Sequence, residues 1–337
     1  MEPRFLVTGA SGFVGSALVQ RLRESGNSWI GIGRRKLDGP NYISHDLGHA
    51  FPQDRIEGQA FDAVIHAAAR ASPWGPDRQF EHDNVVATKN VVDYCERCDN
   101  PPKLIFISSS SVYYRPTHQF NLTESSPLAE HPINAYAATK MRAERIVETY
   151  SGDWCILRPR AVFGPGDTVL LPRIISAAKQ GKLPRLVTGG EPVVGDLIYI
   201  DNLVDYIMLS ATSTDVQGVY NLTNNEPVPI WDFLSSVLQQ MGIAPPSRRV
   251  SIRSAMLAAT CLEIFYRYCM PAREPAITRF GVHVFAYSKT FDVRKCLNAM
   301  GNVRVPLEQG VHRTVSSLRS GAVERVASSF DGKVKQA

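Results

Sequence analysis

Tyr136-Ala-Ala-Thr-Lys140 places a phenol and an ammonium four residues apart, which stacks them on one face of a helix. A tyrosine with a pKa near ~10 is a poor base at neutral pH, but a fixed cation beside it favours the phenolate. Tyr136 is therefore a candidate acid–base group and Lys140 the cation that depresses its pKa. A second polar group is needed to orient a substrate oxygen. Ser108-Ser109-Ser110-Ser111 follows the apolar run Leu104-Ile105-Phe106-Ile107, at the carboxyl edge of a strand, where ligands bind in open α/β sheets. Tyr-x-x-x-Lys is by itself a common surface pair; its weight here comes from a phosphate-binding loop upstream.

That loop is Thr8-Gly9-Ala10-Ser11-Gly12-Phe13-Val14-Gly15, after one strand and at the opening of a helix, the context a dinucleotide fingerprint requires. Its glycines give a tight turn, close backbone approach to a pyrophosphate and close packing of helix on sheet. The N–H groups after Gly12, on Phe13, Val14 and Gly15, then face the phosphates with the positive end of the helix dipole; Ser11 lies in the same turn. The spacing is Gly-x-x-Gly-x-x-Gly rather than the general Gly-x-Gly-x-x-Gly. After the second strand come Gly33-Arg34-Arg35 and no acid, so a 2′-phosphate pairing with arginine is expected. NADP(H) is favoured, with NAD(H) as the alternative. Asp46, with Leu47 beside it, is placed to accept a bond from the adenine amino group.

The elements that must hold these groups alternate. Short β-rich runs at 5–7, 29–33, 61–66, 104–107 and 154–157 are separated by helical patterns at 13–25, 84–98 and 134–150, which is the signature of βαβ units and a parallel sheet. Asn134 reads as an N-cap. Beyond Gly164-Pro165-Gly166-Asp167 the alternation fades and Pro and Gly become frequent. The expected division is a dinucleotide-binding domain over 1–166, which 196–225 rejoins through strands at 196–200 and 219–222. A smaller, discontinuous substrate domain covers 167–195 and 226–325, and 326–337 is a tail.

Composition agrees with an enzyme: 337 residues, 44% apolar and 20% charged, provide ample core. The excess of 37 Lys+Arg over 32 Asp+Glu is spread along the chain, so no nucleic-acid partner is implied. Six cysteines lack the spacing of a disulfide framework, which points to reduced thiols in a cytoplasm. Cys95-Glu-Arg-Cys98 has no second pair to complete a zinc tetrahedron, and the eight histidines show no ligand spacing; no metal is expected. Neither a signal peptide nor a transmembrane helix is expected, and the Asn-Leu-Thr sequons at Asn121 and Asn221 are read as coincidence.

Together the glycine loop, the serine after the fourth strand and Tyr-x-x-x-Lys resemble the short-chain dehydrogenase/reductase superfamily, in its extended branch, over almost the whole chain. The resemblance implies a Rossmann-type doubly wound sheet and hydride transfer to or from a nicotinamide ring. In the family's Ser-Ser-x-x-Val-Tyr motif the catalytic serine falls on Ser109, before Val112-Tyr113. The resemblance makes Ser109, Tyr136 and Lys140 catalytic, with Lys140 also binding the nicotinamide ribose. Asp62-Ala-Val-Ile-His66-Ala67-Ala68 matches the family's third strand, whose small residues, with Ala69, let the cofactor lie against the backbone. Asn84 matches a structural or proton-relay position, Pro159 falls at the end of the fifth strand against the cofactor, and Tyr114 stands where the family has Gly.

Within that branch, nucleotide-sugar enzymes carry an Arg before the Asp-Phe of a late strand; here Gly195 stands before Asp196-Leu197. Leu157-Arg158-Pro159-Arg160-Ala161-Val162-Phe163-Gly164-Pro165-Gly166-Asp167, Pro73-Trp74-Gly75-Pro76 and the run 274–282 instead resemble the 3β-hydroxysteroid dehydrogenase group, which includes sterol-4α-carboxylate dehydrogenases and 2-alkyl-3-oxoalkanoate reductases. The implied substrate is a secondary alcohol or ketone β to a carboxylate on a hydrophobic body, with Arg160, Arg173 or Arg279 as candidates for the carboxylate. The alternative is a nucleotide-sugar 4-epimerase or dehydratase that keeps its NAD bound; a cofactor-binding sensor without catalysis is disfavoured by the intact Ser109, Tyr136 and Lys140. The stripe Leu257, Cys261, Ile264, Phe265 and Tyr268 is expected to pack into the core rather than onto a membrane, because Glu263 and Arg267 shorten its apolar face. A homodimer is expected through the helices at 84–98 and 134–150.

Overall fold

Alternate residues of the first strand, Phe5 and Val7 on one side and Leu6 on the other, are all fully buried. Both faces of the sheet must therefore be covered, as a parallel sheet with crossover helices requires. In the computed structural model, which describes residues 2–187, 189–270 and 273–320, seven strands form this sheet. Their order is Gly218–Leu222, Trp154–Pro159, Lys103–Ile107, Ala63–His66, Arg4–Thr8, Ser28–Gly33 and Tyr42–Ser44, and every neighbouring pair is parallel. The chain is α/β with a Rossmann-type doubly wound sheet: the order reverses beside the first strand, and ligands bind at such a switch point.

One face is covered by the helices Phe13–Glu24 and Ile200–Thr212, whose Leu18, Leu22, Leu203 and Ile207 join Phe5, Val7, Ile65 and Leu157 in one core. The other carries Ala87–Glu96 and Ala135–Val147, where Val91, Tyr94, Ala143 and Val147 meet Leu6, Val64, Phe106 and Ile156. Beyond the sheet lie a four-stranded sheet of Gln119–Leu122, Val194–Gly195, Val228–Pro229 and Lys289–Phe291, and the helix pair Ile252–Cys269 and Arg279–Ala286.

Four expectations are corrected. The segment 196–200 is not a strand of the main sheet: only Ile198–Tyr199 is extended, pairing with Val162–Phe163, and Ile200 opens a helix. Its apolar run continues with helical spacing through Leu203, Val204, Tyr206 and Ile207, and helical burial wins. The helical stretch expected from Asn84 starts earlier, at Asp77, and passes through a π-turn at Glu81–Val86 before Ala87–Glu96. Tyr42–Ser44 is a strand that the sequence reading left out. The stripe expected in the core faces outward: Leu257, Ile264, Phe265 and Tyr268 are 68%, 54%, 48% and 81% exposed, and it is Ala255 and Ala259 that pack inward. Small residues on the opposite face let this helix lie close to the body, which turns the larger ones out. The tail at 326–337 lies outside the described residues.

Candidate active site

The turn after the first strand is built by steric necessity. Gly9 has φ +70°, and a Cβ there would lie 2.6 Å from the Ala68 nitrogen, while one on Gly15 would lie 2.1 Å from the Gly9 carbonyl oxygen. Strand, helix and the Ala67–Ala68 backbone therefore approach more closely than any side chain allows. Gly12 is the N-cap with no side-chain cap bond, and the first helical bond is Ser16 N–H to Gly12 C=O. The N–H groups of Phe13, Val14 and Gly15 are thus left for an anion, which fits a dinucleotide pyrophosphate. Ser11 is held by the Tyr42 hydroxyl at 3.2 Å.

The other expected cofactor residues stand along the same edge. Arg34 and Arg35 follow Ser28–Gly33, Asp46 and Leu47 follow Tyr42–Ser44, Ala67 to Ala69 follow Ala63–His66, and Pro159 ends its strand. Arg34 is paired with Asp83 at 2.9 Å, and Asp83 also takes Arg70 at 2.9 Å. Burial opposes its charge, but His82 and these arginines outweigh that and hold the Asp83 carboxyl below its ordinary range. Asp46 Oδ1 accepts the Gly48 N–H at 3.0 Å. The fold also gathers Asp46, His49 and His82, with ligand atoms within 4.8 Å of one another, a grouping that chain spacing could not signal. His82 Nδ1 is already engaged by Asp83 at 3.1 Å.

His66 ends its strand fully buried between two threonines, Nδ1 against Thr8 Oγ1 at 2.6 Å and Nε2 against Thr88 Oγ1 at 3.0 Å. Thr88 gives its own proton to the Asn84 carbonyl at 2.6 Å, so it accepts from His66, and the proton is assigned to Nε2. Burial, aided by the Lys140 charge, pushes this imidazole down to about 3 and keeps it neutral. Asn84 sits in the π-turn, a common device at functional sites. Its Oδ1 accepts the Arg70 N–H at 2.7 Å and its Nδ2 donates to Thr139 Oγ1 at 2.9 Å. It thereby joins the loop after the fourth strand of the order to the helix carrying Tyr136 and Lys140.

That helix is Ala135–Val147, capped as expected by Asn134, whose Oδ1 accepts the Ala137 N–H at 2.9 Å. Ser109 caps the short turn Ser110–Tyr113 by accepting the Ser111 N–H at 3.2 Å. The fold brings Ser109 and Tyr136 together: burial pushes the phenol above its ordinary value of 10.0, and a hydrogen bond from Ser109 opposes the rise. Lys140 is fully buried, donates to the Ile107 carbonyl at 2.7 Å and lies 4.5 Å above the Phe106 ring. Desolvation pushes its ammonium down to about 7, with Glu144 opposing. The expected depression of the tyrosine by Lys140 is thus replaced here by a bond from Ser109, because the ammonium is turned to the strand end.

Behind these three lies a network absent from the sequence reading. Glu144 takes Arg158 in a two-pronged pair, Nε–Oε1 at 2.9 Å and Nη2–Oε2 at 2.7 Å, and also accepts from the Ser108 hydroxyl. Arg158 donates on to the Tyr113 hydroxyl, which reaches Asn221 Oδ1 at 3.1 Å. A usable signal existed: Tyr136, Lys140 and Glu144 repeat at four-residue steps, so the carboxylate shares the face of the other two. Asn221 is fully buried, so its sequon is not a surface loop.

Glu144→Ala leaves the Arg158 guanidinium buried without its carboxylate. Loss of about 3–5 kcal/mol of stability is expected from urea unfolding; a loss below about 1 kcal/mol would mean that the pair does not hold the site together.

Comparison with known proteins places this geometry in a family. Residues 5–223 match the NAD dependent epimerase/dehydratase family. The 2-alkyl-3-oxoalkanoate reductase of Shewanella oneidensis is 31% identical over 93% of this chain and 85% of its own length. The sterol-4-alpha-carboxylate 3-dehydrogenase, decarboxylating, of Mus musculus is 28% identical over 92% of this chain and 90% of its own. Among solved structures, the Bordetella bronchiseptica enzyme WbmH in complex with NAD+ superposes with a TM-score of 0.74 at 20% identity, covering 95% of this chain and 99% of that one; at that identity the likeness speaks for the fold. The chain belongs to the NAD dependent epimerase/dehydratase family and, like its dehydrogenase and reductase relatives, is an enzyme acting on a CH–OH group.

Proposed function

We propose that this enzyme interconverts a secondary alcohol and a ketone on a hydrophobic substrate bearing a carboxylate β to the reacting carbon, with NADP(H) preferred. The observation that carries the reading is the approach of Ser109 to Tyr136 at the carboxyl edge of the sheet, one helical turn from Lys140. The relatives supply the substrate class: a 3-oxoalkanoate and a sterol 4-carboxylate each set the reacting oxygen β to a carboxylate on an apolar body. Gly195 agrees, since no cation stands there for a diphosphate.

When bound, the nicotinamide cofactor supplies or takes up the hydride. Tyr136, held protonated by burial, donates its proton to the developing alkoxide in the reductive direction. Ser109 holds the same oxygen and steadies the phenolate left behind. Lys140, whose ammonium is turned to the Ile107 carbonyl at the strand end, is the cation we assign to the nicotinamide ribose. Arg34 is held by Asp83, so Arg35 is the arginine we assign to the 2′-phosphate. Among the described residues no helix is long and apolar enough to cross a membrane; the thiols, none bridged to another, support placement in the cytoplasm.

The first test follows absorbance at 340 nm with NADPH or NADH against long-chain β-keto acids, 3-ketosteroids and UDP-sugars. Oxidation of NADPH by a hydrophobic keto acid is expected, with the preference for NADPH reduced in Arg35→Ser. Tyr136→Phe should lose roughly 10²- to 10⁴-fold in kcat while retaining cofactor binding. Conversion of a UDP-sugar with the cofactor unconsumed would move the enzyme to the epimerases.

The pH dependence separates the two buried groups. Lys140 is charged below its value of about 7 and neutral above it, and kcat/KM reports the free enzyme. Reductive kcat/KM should therefore fall as pH rises through about 7. A fall seen only above 10 would assign the alkaline limb to Tyr136 instead.

A further inference from the structure

Three arginines were candidates for a substrate carboxylate, and the structure treats them differently. Arg173 is paired with Glu274 at 2.8 Å and Arg279 with Glu263 at 2.7 Å. Arg160 is only 7% exposed, yet its Nε is buried without a hydrogen-bond partner, and no carboxylate lies within ion-pair distance among the described residues. A buried guanidinium left in this condition is costly to the fold and points to an anion that completes it.

Its position fits. Ile107 pairs in register with Leu157; Ser109 follows the end of the first of these strands by two residues, Pro159 ends the second, and Arg160 comes next. The guanidinium lies 5.2 Å from the centre of the Tyr114 ring, which meets Phe280 at 5.7 Å. Tyr114, the residue in place of a glycine, is thus the platform on which Arg160 rests: burial pushes its phenol up, and the charge of Arg160 and a side-chain bond from it oppose the rise. Lys289 faces the same ring at 5.3 Å but is tied to the Arg115 carbonyl at 3.0 Å and to that of Thr117. Asp196 attracts Arg160, but its Oδ2 accepts the Phe291 N–H at 2.8 Å, and burial pushes its carboxyl up to about 6.

We propose that Arg160, on the Tyr114 ring, binds the carboxylate of the substrate and is the group that selects acids over neutral ketones. The inference rests on the functional reading above and names the specificity residue of that site. The test compares kcat/KM for a β-keto acid with that for its methyl ester in wild type, Arg160→Gln and Arg160→Lys. Arg160→Gln should lose about 30-fold or more on the acid and little on the ester, with Arg160→Lys between. Equal losses on acid and ester, or no loss on the acid, would overturn the assignment even if both variants fold and turn over. A second readout needs no turnover. Decanoate should raise the Tm of the wild-type protein with NADP+ more than decanol does, and Arg160→Gln should abolish the difference. If wild type reduces neutral ketones but ignores the carboxylate, this inference fails and the oxidoreductase reading stands; if it reduces neither while decanoate still binds through Arg160, the reverse holds.

A separate observation concerns the helix Ile252–Cys269. Leu257, Ala258, Cys261, Ile264, Phe265 and Tyr268 recur at helical spacing, and every one is exposed. Arg253 and Arg267 on the helix are exposed, as are Arg248 and Arg249 just before it, and the one acid of the helix, Glu263, is turned away to Arg279. An apolar stripe rimmed by arginines with a tyrosine at its end matches a bilayer interface with anionic headgroups. At 5.8 Å the Arg267 guanidinium also covers Trp74, in the loop that follows Ala67–Ala69, so this helix adjoins the active-site edge.

We infer that this face docks the enzyme on an anionic lipid surface. The full chain should sediment with vesicles of phosphatidylcholine and phosphatidylglycerol at 3:1, less with phosphatidylcholine alone and less in 0.5 M NaCl. Leu257→Gln/Phe265→Gln should lower vesicle binding at least tenfold while leaving turnover of a short, water-soluble substrate unchanged. No binding to either vesicle, or equal binding by the double variant, would overturn the inference. So would light scattering that shows a wild-type dimer becoming a monomer in the double variant, because the stripe would then belong to a second copy of the chain.

Discussion

The pairing of Glu144 with Arg158 joins the parts of this molecule that must not move relative to one another. Glu144 comes from the helix that carries Tyr136 and Lys140, and Arg158 from the strand beside the one that ends at Ile107, just before Ser108. Two charges this deep in the protein are stable only with both partners present and their remaining polar atoms satisfied. Here Ser108, Tyr113 and Asn221 complete the set. The pair therefore fixes the height of the helix against the sheet edge, and with it the distance from Tyr136 to Ser109.

Burial then sets the chemistry of each group according to its charge. It raises the Tyr136 phenol, lowers the Lys140 ammonium and keeps His66 neutral, since in each case the charged form loses its water. The phenol is thereby kept protonated. Asn84 extends the same rigidity outward, because one amide ties the helix of Tyr136 and Lys140 to the backbone of Arg70.

Farther out, polar and apolar groups are left in states that the fold alone does not justify. Arg160 is a buried cation lacking a carboxylate partner, and the outer helix turns its larger apolar residues to solvent while packing on alanines. Stability would favour the opposite choices at both places, and departures of this kind are expected where binding is the purpose.

The family and the architecture were legible in the sequence because both are written in local patterns. The glycine spacing after a strand, the four-residue step from Tyr136 to Lys140 and the alternation of short apolar runs with helical ones each depend on a few neighbouring residues. The sequence by itself thus determined the doubly wound sheet, the tight glycine turn at its edge and the stacking of Tyr136 and Lys140 on one face of a helix. It did not determine partners brought together over long separations. Arg34 with Asp83, Arg158 with Tyr113 and Asn221, and Asp46 with His82 meet only once the sheet is assembled. Nor could periodicity say which face of the helix Ile252–Cys269 points inward, since small and large apolar residues alternate around it. Only the tertiary structure decided that, through the close approach that Ala255 and Ala259 permit.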